Sequence, residues 1–448
     1  MILMRRISAC ARWVGAVAVS AALVAMTPVV GAVRAQRVVL VSTVDQLYEA
    51  VNNPANQGAV IELVPGEYVL TPLDQTENPR PNLGSLVLPA GSILRGQNEY
   101  TDIDGDGIWD PPDPSNPAIY ANPATETIIN AVQLTGLTSV MDVISIGLDN
   151  QVEGLTVRNN TWAGALIGVT IKPSTGGLRG AVRNCIVEGG QRGIRTTHTK
   201  GFSGLHSSAV FEGNISRHHS GTFGFGFQVQ NDQVADATWD VILRNNRSYG
   251  NKAGLFIVAV SSSNAEESVL SANNIYERNT IGVALHAGRD AAGAGRFDGS
   301  IGSQLRFDSV GDAIWNNNGN QGPDRGGVDA RAGFRTSASA TPSSKNHLRL
   351  QLIGTRFVRG TGLENLAGTT RRDLTLYGAL GRNAVFPGSG NLATLLIRNS
   401  TSDGAPGAFL VVDSDPPAPN QAIVIGSDQA IESANTGIAL DPPGDVPP

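Results

Sequence analysis

The chain is poor in cysteine, in aromatic residues and in charge. Among 448 residues there are two cysteines, 5% aromatic residues and 16% charged residues. Cys10 lies in the N-terminal leader described below, so Cys185 would be left alone and an intrachain disulfide is excluded. Few rings are available for stacking on sugars. Stability must come from packing, hydrogen bonding and bound ions.

Basic residues are also scarce. The leader contains four of the 33 basic residues and none of the 39 acidic ones, so the rest has 29 basic against 39 acidic residues, a net charge of -10. This balance argues against a nucleic-acid partner, which would require a basic surface. Beyond the leader, no apolar run approaches the ~20 residues of a membrane-spanning helix. We therefore expect no membrane association once the leader is removed.

Residues 1–35 have the pattern of a signal peptide. Three arginines precede an uncharged run from residue 13 to residue 33, and small residues at 33 and 35 provide a cleavage site. A retained membrane anchor is the alternative, because the run is long enough to cross a bilayer. We expect cleavage before Gln36 and a secreted, periplasmic or cell-surface protein.

Glycine is abundant, with 53 residues and no three-residue period, so collagen is excluded. Short β-branched runs interrupted by Gly and Asn predict many brief strands. One helix is predicted, in "STVDQLYEAV". Ser42 and Thr43 are candidate N-caps, with Gln46 three residues after Thr43. We expect this helix to act as a cap.

Short stretches recur along the middle of the chain, from "VEGLTVRNN" to "SANNIYERN". A Gly-apolar pair follows each of them and opens a second strand, as in "GVTIK" and "GVALH". Such a period predicts a solenoid whose units bury their apolar faces against their neighbours. Asparagine suits the corners because it tolerates the left-handed conformation and its stacked amides form ladders. The stretches align at spacings of 30, 30, 32 and 28 residues on Gly154, Asn184, Asn214, Asn246 and Asn274.

The stretch "IELVPGEYVL" after a short helix, followed by Asn-rich repeats, resembles the secreted right-handed parallel β-helix proteins of the pectate lyase-like superfamily. The resemblance covers roughly residues 40–440. It implies an all-β fold, a right-handed parallel β-helix solenoid with a short N-terminal capping helix. We predict one domain at residues 36–448, with an acidic insert at 102–113 and a mobile polar loop at 316–346.

The acidic insert, "DIDGDGIWDPPD", holds five aspartates in twelve positions. Oxygen ligands at alternating positions, followed by a glycine that permits a sharp turn, suit calcium. Prolines after the insert exclude a flanking helix, so a free calcium loop with a structural role is predicted. A solvated acidic loop without an ion is the alternative. The predicted ligands are Asp102, Asp104, Asp106, the carbonyl of Ile108, Asp110 and Asp113.

Candidate catalytic residues come from the second strand of each repeat. If the first position after the glycine points inward, the second and fourth point outward. Lys172, Arg195 and His286 then belong to a polar stripe on one outer face. We expect such a stripe to be able to bind a uronate polymer. A merely solvated face would also show polar residues.

β-Elimination from a uronate requires a base for the C5 proton and a cation that neutralises the carboxylate. Lys172 or Arg195 could be the base, and His286 could protonate the leaving oxygen. By resemblance, β-helix lyases use a Lys or Arg base, with calcium bridging the substrate carboxylate. Hydrolysis ranks lower, because no paired-aspartate motif is found.

The superfamily also includes hydrolases, epimerases, tailspikes and adhesins, so the fold does not fix the function. An exported polysaccharide lyase is therefore one hypothesis. A non-catalytic, adhesin-like protein that binds a polysaccharide or cell-surface glycan is the other, and both monomer and trimer stay open. We interpret "RHHSG", residues 217–221, as a surface turn, and Cys185 as a small buried apolar residue.

Overall fold

In the part of the chain that the computed structural model describes, the fold is all-β apart from one α-helix and two short 3-10 helices. The described residues are 36–97, 126–134, 141–147, 149–159, 166–172, 179–199, 202–221, 223–289, 299–315, 317, 326–335, 343–358, 373–381, 389–402, 409–415, 420–427, 429 and 432–433. The predicted leader and the predicted calcium loop lie outside them. Among the described residues, no helix is long and apolar enough to cross a membrane.

The described strands form three sheets. Sheet 1 contains β1 (Val38–Val41), β2 (Val60–Leu63), β5 (Ile93–Arg95), β8 (Asn150–Glu153), β11 (Arg179–Arg183), β14 (His206–Glu212), β17 (Thr238–Arg244), β20 (Glu266–Ala272), β23 (Gln304–Val310), β26 (His347–Ile353), β29 (Leu392–Arg398) and β32 (Gln421–Ser427). Sheet 2 contains β3 (Gly66–Val69), β6 (Thr127–Asn130), β9 (Thr156–Asn159), β12 (Ile186–Gly189), β15 (Ile215–Arg217), β18 (Arg247–Tyr249), β21 (Ile275–Glu277), β24 (Ala313–Trp315), β27 (Arg356–Val358) and β30 (Thr401–Ser402). Sheet 3 contains β4 (Leu86–Val87), β7 (Met141–Ile146), β10 (Leu166–Ile171), β13 (Arg192–His198), β16 (Phe225–Asp232), β19 (Ala253–Val260), β22 (Ile281–Arg289), β25 (Val328–Arg335), β28 (Leu374–Gly381), β31 (Phe409–Asp415) and β33 (Glu432–Ser433).

Each full coil takes one strand from each sheet in turn, and the next coil repeats the order. β11, β12 and β13 are followed by β14, which pairs in parallel with β11. Strands of neighbouring coils therefore lie about 4.8 Å apart along one axis. Inward-facing aliphatic and aromatic side chains form one continuous core along the stack. The prediction of a parallel β-helix is confirmed.

The predicted cap is also present. Helix α1, Val44–Asn52, begins after Thr43, whose side chain accepts a hydrogen bond from the Gln46 amide at 3.2 Å. The Gln46 side chain accepts from the Ser42 amide at 2.9 Å, which completes a reciprocal cap. Leu47 and Val51 are buried in the core beside the first strands. The helix thus covers apolar side chains at the N-terminal end of the stack.

Asparagines form ladders at the corners, but the repeat register differs from the predicted one. Asn214, Asn246 and Asn274 are one position past the left-handed residues of their coils, where Gly213, Asn245 and Asn273 stand. The predicted alignment therefore mixed two rows, because Asn occurs in both. The Asn214 amide donates to Asn246 at 2.9 Å, and the Asn246 amide donates to Asn274 at 2.9 Å. Each asparagine therefore links two coils inside the corner.

Charges on the outer face of sheet 1 alternate from strand to strand. Cross-strand partners form the row Glu62, Arg95, Glu153, Arg183, Glu212 and Arg244. Ion pairs join several neighbours in this row, including Arg183 and Glu212 at 3.1 Å. Opposite charges facing each other across a ladder favour this strand register over a shifted one.

The prediction of a polar surface loop at residues 316–346 is wrong for its central part. Val328–Arg335 forms β25 of sheet 3, where Val328 and Ala330 are buried in the core. Asp329 and Arg331 point to the other face and form a buried ion pair, which gave the segment its polar appearance. Residues 316, 318–325 and 336–342 lie outside the described residues.

Candidate functional site

The candidate site lies on the outer face of sheet 3. Inward positions such as Val169 and Ile194 belong to the main core, as the alternation predicted. Outward positions align as cross-strand partners in the row Thr170, Arg195, Gln228, Phe256 and Ala284. Unlike an ordinary solvated face, all five of these side chains are buried. Sheet 3 therefore carries polar and charged groups in a largely desolvated setting.

Near its N-terminal end, this face carries a group we call the Asp142 cluster: Asp142, Thr170, Lys172, Arg192 and Arg195. The carboxylate of Asp142 accepts from Thr170 Oγ1 at 2.6 Å and from Arg195 Nη2 at 3.3 Å. Its second oxygen forms an ion pair with Lys172 Nζ. Half of the Lys172 side chain is exposed, whereas Asp142 is buried. The cluster therefore reaches solvent through Lys172.

Burial sets the electrostatics of the two arginines. It lowers the pKa of Arg192 to about 9, and the nearby charge of Arg195 lowers it further, against the opposing effect of Asp142. Burial also lowers the pKa of Arg195, while Asp142 and Asp232 oppose that shift. The protein therefore holds two like charges close together in a region of low dielectric.

Toward the C-terminal end the same face becomes apolar. Phe225, Phe256, Val258 and Ala284 belong to a cluster separate from the main core. The rings of Phe225 and Phe256 lie 4.5 Å apart between centroids. A charged section is thus followed by an apolar section along the axis.

His286 lies beyond this apolar section. It is buried between Phe256 and Phe334, with ring centroids at 5.3 and 5.0 Å. Its strand, β22, is three strands further along sheet 3 than the strand of Arg195, a separation of about 14 Å. The structure therefore brings Lys172 and Arg195 together at Asp142, and it does not bring His286 to them.

Asp142 and Arg192 were not selected from the sequence. Arg192 immediately precedes the Gly-Ile pair that opens its strand, outside the alternation used to find outward residues. Its partner in register, Phe225, packs against Phe256 of the outward row, which places the start of β13 on the same face as Arg195. Asp142 precedes the first aligned repeat. Strict alternation would put Arg192 on the inner face with Ile194, so the pattern used to find outward residues missed it.

Another polar group is enclosed inside the coil. His198 Nδ1 contacts Asn231 Oδ1 at 2.8 Å, and His198 Nε2 contacts Ser207 Oγ at 2.8 Å. The Asn231 side-chain amide nitrogen donates to Glu267 Oε1 at 2.7 Å. The His198 ring stacks on Trp239 at 4.3 Å. Burial lowers the pKa of His198 to about 4 and raises the pKa of Glu267 to about 8, so both groups are neutral at pH 7.

The other sequence interpretations have mixed outcomes. In "RHHSG" His218 is exposed, but His219 is buried and bonded to Ser216 Oγ at 2.9 Å, so the surface-turn interpretation is wrong for His219. Cys185 is a buried free thiol, as predicted, and burial raises its pKa to about 12. Among the described residues, no group of three or more His, Cys, Asp or Glu could hold a metal.

Neither a family model nor a curated protein matches this chain. Among solved structures, the A-module of the Azotobacter vinelandii mannuronan C-5 epimerase AlgE6 is similar at 14% identity and a TM-score of 0.28. The match covers 88% of this chain and 95% of that module. At this score the likeness carries no argument about activity.

Proposed function

We propose that this protein is an exported, carbohydrate-active β-helix protein that cleaves an anionic, uronate-containing polysaccharide by β-elimination. One observation carries the proposal. Lys172 and Arg195 meet on the carboxylate of Asp142, on the outer face of sheet 3, and Lys172 remains half exposed. A cation beside a solvent-accessible amine is the pair of groups that elimination from a uronate requires.

The solvent exposure of Lys172 and the burial of Arg195 assign each residue a different role in the reaction. Arg195 is fixed by Asp142 and carries the charge that stabilises the developing carbanion at C5. Lys172 is the member of the cluster that reaches solvent. It first gives its ammonium proton to water, and the resulting amine then takes the C5 proton. The electrons of the C5–H bond form the C4–C5 double bond, and the C4–O bond breaks toward the leaving sugar. The leaving oxygen then receives a proton.

A chain lying along the axis would cross one strand about every 4.8 Å. His286, about 14 Å from the strand of Arg195, would then contact a more distant part of the polymer. In this proposal it does not protonate the leaving oxygen of the bond that Lys172 attacks. Water protonates the leaving oxygen instead.

We also propose, from the sequence, that the protein binds a calcium ion. The carboxylates at 102, 104, 106, 110 and 113 form the hard oxygen set that calcium prefers. In sequence, the predicted loop falls between β5 and β6, the first of which is in sheet 1 and the second in sheet 2. We assign the ion a structural role, without a part in the elimination step.

The test is an assay on pectate, alginate and chondroitin sulfate for unsaturated products that absorb in the near ultraviolet, with and without chelator. Lys172→Ala should lower the rate by about 100-fold or more, with the fold unchanged by circular dichroism. Arg306→Ala, which removes an exposed arginine from sheet 1, is the control and should leave the rate unchanged.

An inactive but polysaccharide-binding wild-type protein would reject elimination and support the adhesin-like alternative. Cleavage that survives Lys172→Ala would reject the assignment of the base.

A further inference from the structure

Arg192 is a buried cation without a hydrogen-bond partner among the described residues. It starts β13, and only 8% of it is exposed. Its Nε is buried without a partner, and none of its guanidinium nitrogens bonds to a described residue. Its Cζ lies 4.8 Å from the ring centroid of Phe223. The ring supports the guanidinium but supplies no acceptor.

Arg195, on the same face and three residues later, is also incompletely bonded. One of its nitrogens donates to Asp142, but its Nε is buried without a partner among the described residues. The carboxylate of Asp142 is already shared with Lys172 and Thr170. Asp232 also acts electrostatically on both arginines, so two carboxylates face three cations.

Such an arrangement is costly in the absence of an anion. A buried charge that lacks hydrogen bonds costs several kcal/mol, and two neighbouring guanidiniums repel each other. A planar guanidinium fork matches the oxygens of a carboxylate, sulfate or phosphate, and such charge-assisted bonds are about twice as strong as neutral ones. A bound oxyanion would offset the repulsion and satisfy the unbonded nitrogens at once.

We propose that Arg192 and Arg195 together form a binding site for a single oxyanion, supplied by a carboxylate or sulfate group of an acidic polysaccharide. The identity of the carrier rests on the proposed function, whereas the anion site rests on the two guanidiniums alone. Arg192 contacts the ligand in this proposal, and it adds a specificity determinant to Lys172 and Arg195.

The test measures thermal unfolding and titration calorimetry of the full chain with sodium galacturonate, sodium sulfate and sodium chloride at matched ionic strength. Galacturonate or sulfate should raise the melting temperature saturably, and chloride should not. Arg192→Gln should abolish the shift, and Arg192→Lys should reduce it because the fork is lost. Arg179→Gln, which removes an exposed arginine from sheet 1 of the same coil, should keep the wild-type shift.

The anion-free stability provides an independent readout. Arg192→Gln removes an unsatisfied buried charge, so its melting temperature without ligand should equal or exceed that of the wild type. A large destabilisation, an unchanged anion shift in Arg192→Gln, or no shift in the wild type would each overturn the site. Anion binding without cleavage would leave the site standing and reject the lyase. Cleavage without anion binding would reject the anion site and leave the lyase standing.

Discussion

Glu267→Gln is the substitution for which the structure gives the clearest quantitative expectation. Glu267 points inward from β20 and is fully buried. Burial, more than the neighbouring charge of Glu266, raises its pKa to about 8, although the hydrogen bond from Asn231 opposes the shift. Glutamine keeps the shape and the oxygen that accepts from Asn231, and it never ionises.

The sign and size of the effect follow from proton linkage. Below pH 4.5, the ordinary pKa of the group, folded and unfolded chains both hold the proton. Between 4.5 and 8 only the folded chain holds it, so the free energy of unfolding falls as the pH rises through this window. At about 1.36 kcal/mol per pH unit, the loss at pH 7 is about 3 kcal/mol. Glu267→Gln should therefore gain about 3 kcal/mol over the wild type at pH 7 and nothing near pH 4.5.

The measurement is urea unfolding of both proteins at pH 5, 6, 7 and 8, together with hydrogen exchange of the β20 amides, because solenoids can unfold in parts. Glu266→Gln is the matched control: the same charge is removed from the adjacent exposed position. A stability difference that stays constant with pH, or an equal pH-dependent gain in Glu266→Gln, would refute the reasoning.

Three further predictions concern the corners, the thiol and the proposed calcium loop. Asn246→Ala removes the middle of an amide ladder, so the buried Asn214 backbone amide loses its acceptor and the Phe211 carbonyl loses its donor, and the free energy of unfolding should drop by about 3 kcal/mol; Asn245→Gly, which keeps the left-handed turn, should cost far less by the same urea titration. Cys185 should resist iodoacetamide at pH 8 in the native protein and react fully in urea, as mass spectrometry would show; native labelling would contradict its burial. Chelator should lower the melting temperature of the wild type but not of Asp104→Asn, and terbium luminescence should be lost in that variant; an unchanged chelator response in Asp104→Asn would argue against a calcium loop.

The fold was predictable because it repeats. Each coil needs a left-handed corner and an inward aliphatic row, and both leave a periodic trace in the sequence. The one-residue error in the repeat register has a physical cause: asparagine serves both the left-handed position, as at Asn245, and the ladder position, as at Asn246. The two roles cannot be separated by residue type.

The polar segment around residue 330 shows a second limit. Its inward residues are mostly small, as at Ala330 and Ala332, so the apolar row is weak in the sequence. Asp329 and Arg331 alternate with these inward residues along the strand. In the folded protein the two charged side chains form an ion pair on the opposite face of the strand. Hydropathy averages over both faces of a strand, so a buried ion pair makes a strand resemble a loop.

Whether an outward charge on this solenoid stabilises the stack or is available for a ligand depends on its cross-strand neighbours. On sheet 1, Arg183 has glutamates in register on both sides, so its charge stabilises the stack and requires no ligand. On sheet 3, the neighbours of Arg192 in register are Ile167 and Phe225, neither of which can neutralise it. A buried arginine between two apolar residues weakens the ladder in which it lies. The proposed oxyanion accounts for its position, and the sheet that carries such arginines is the one where an acidic ligand should be sought.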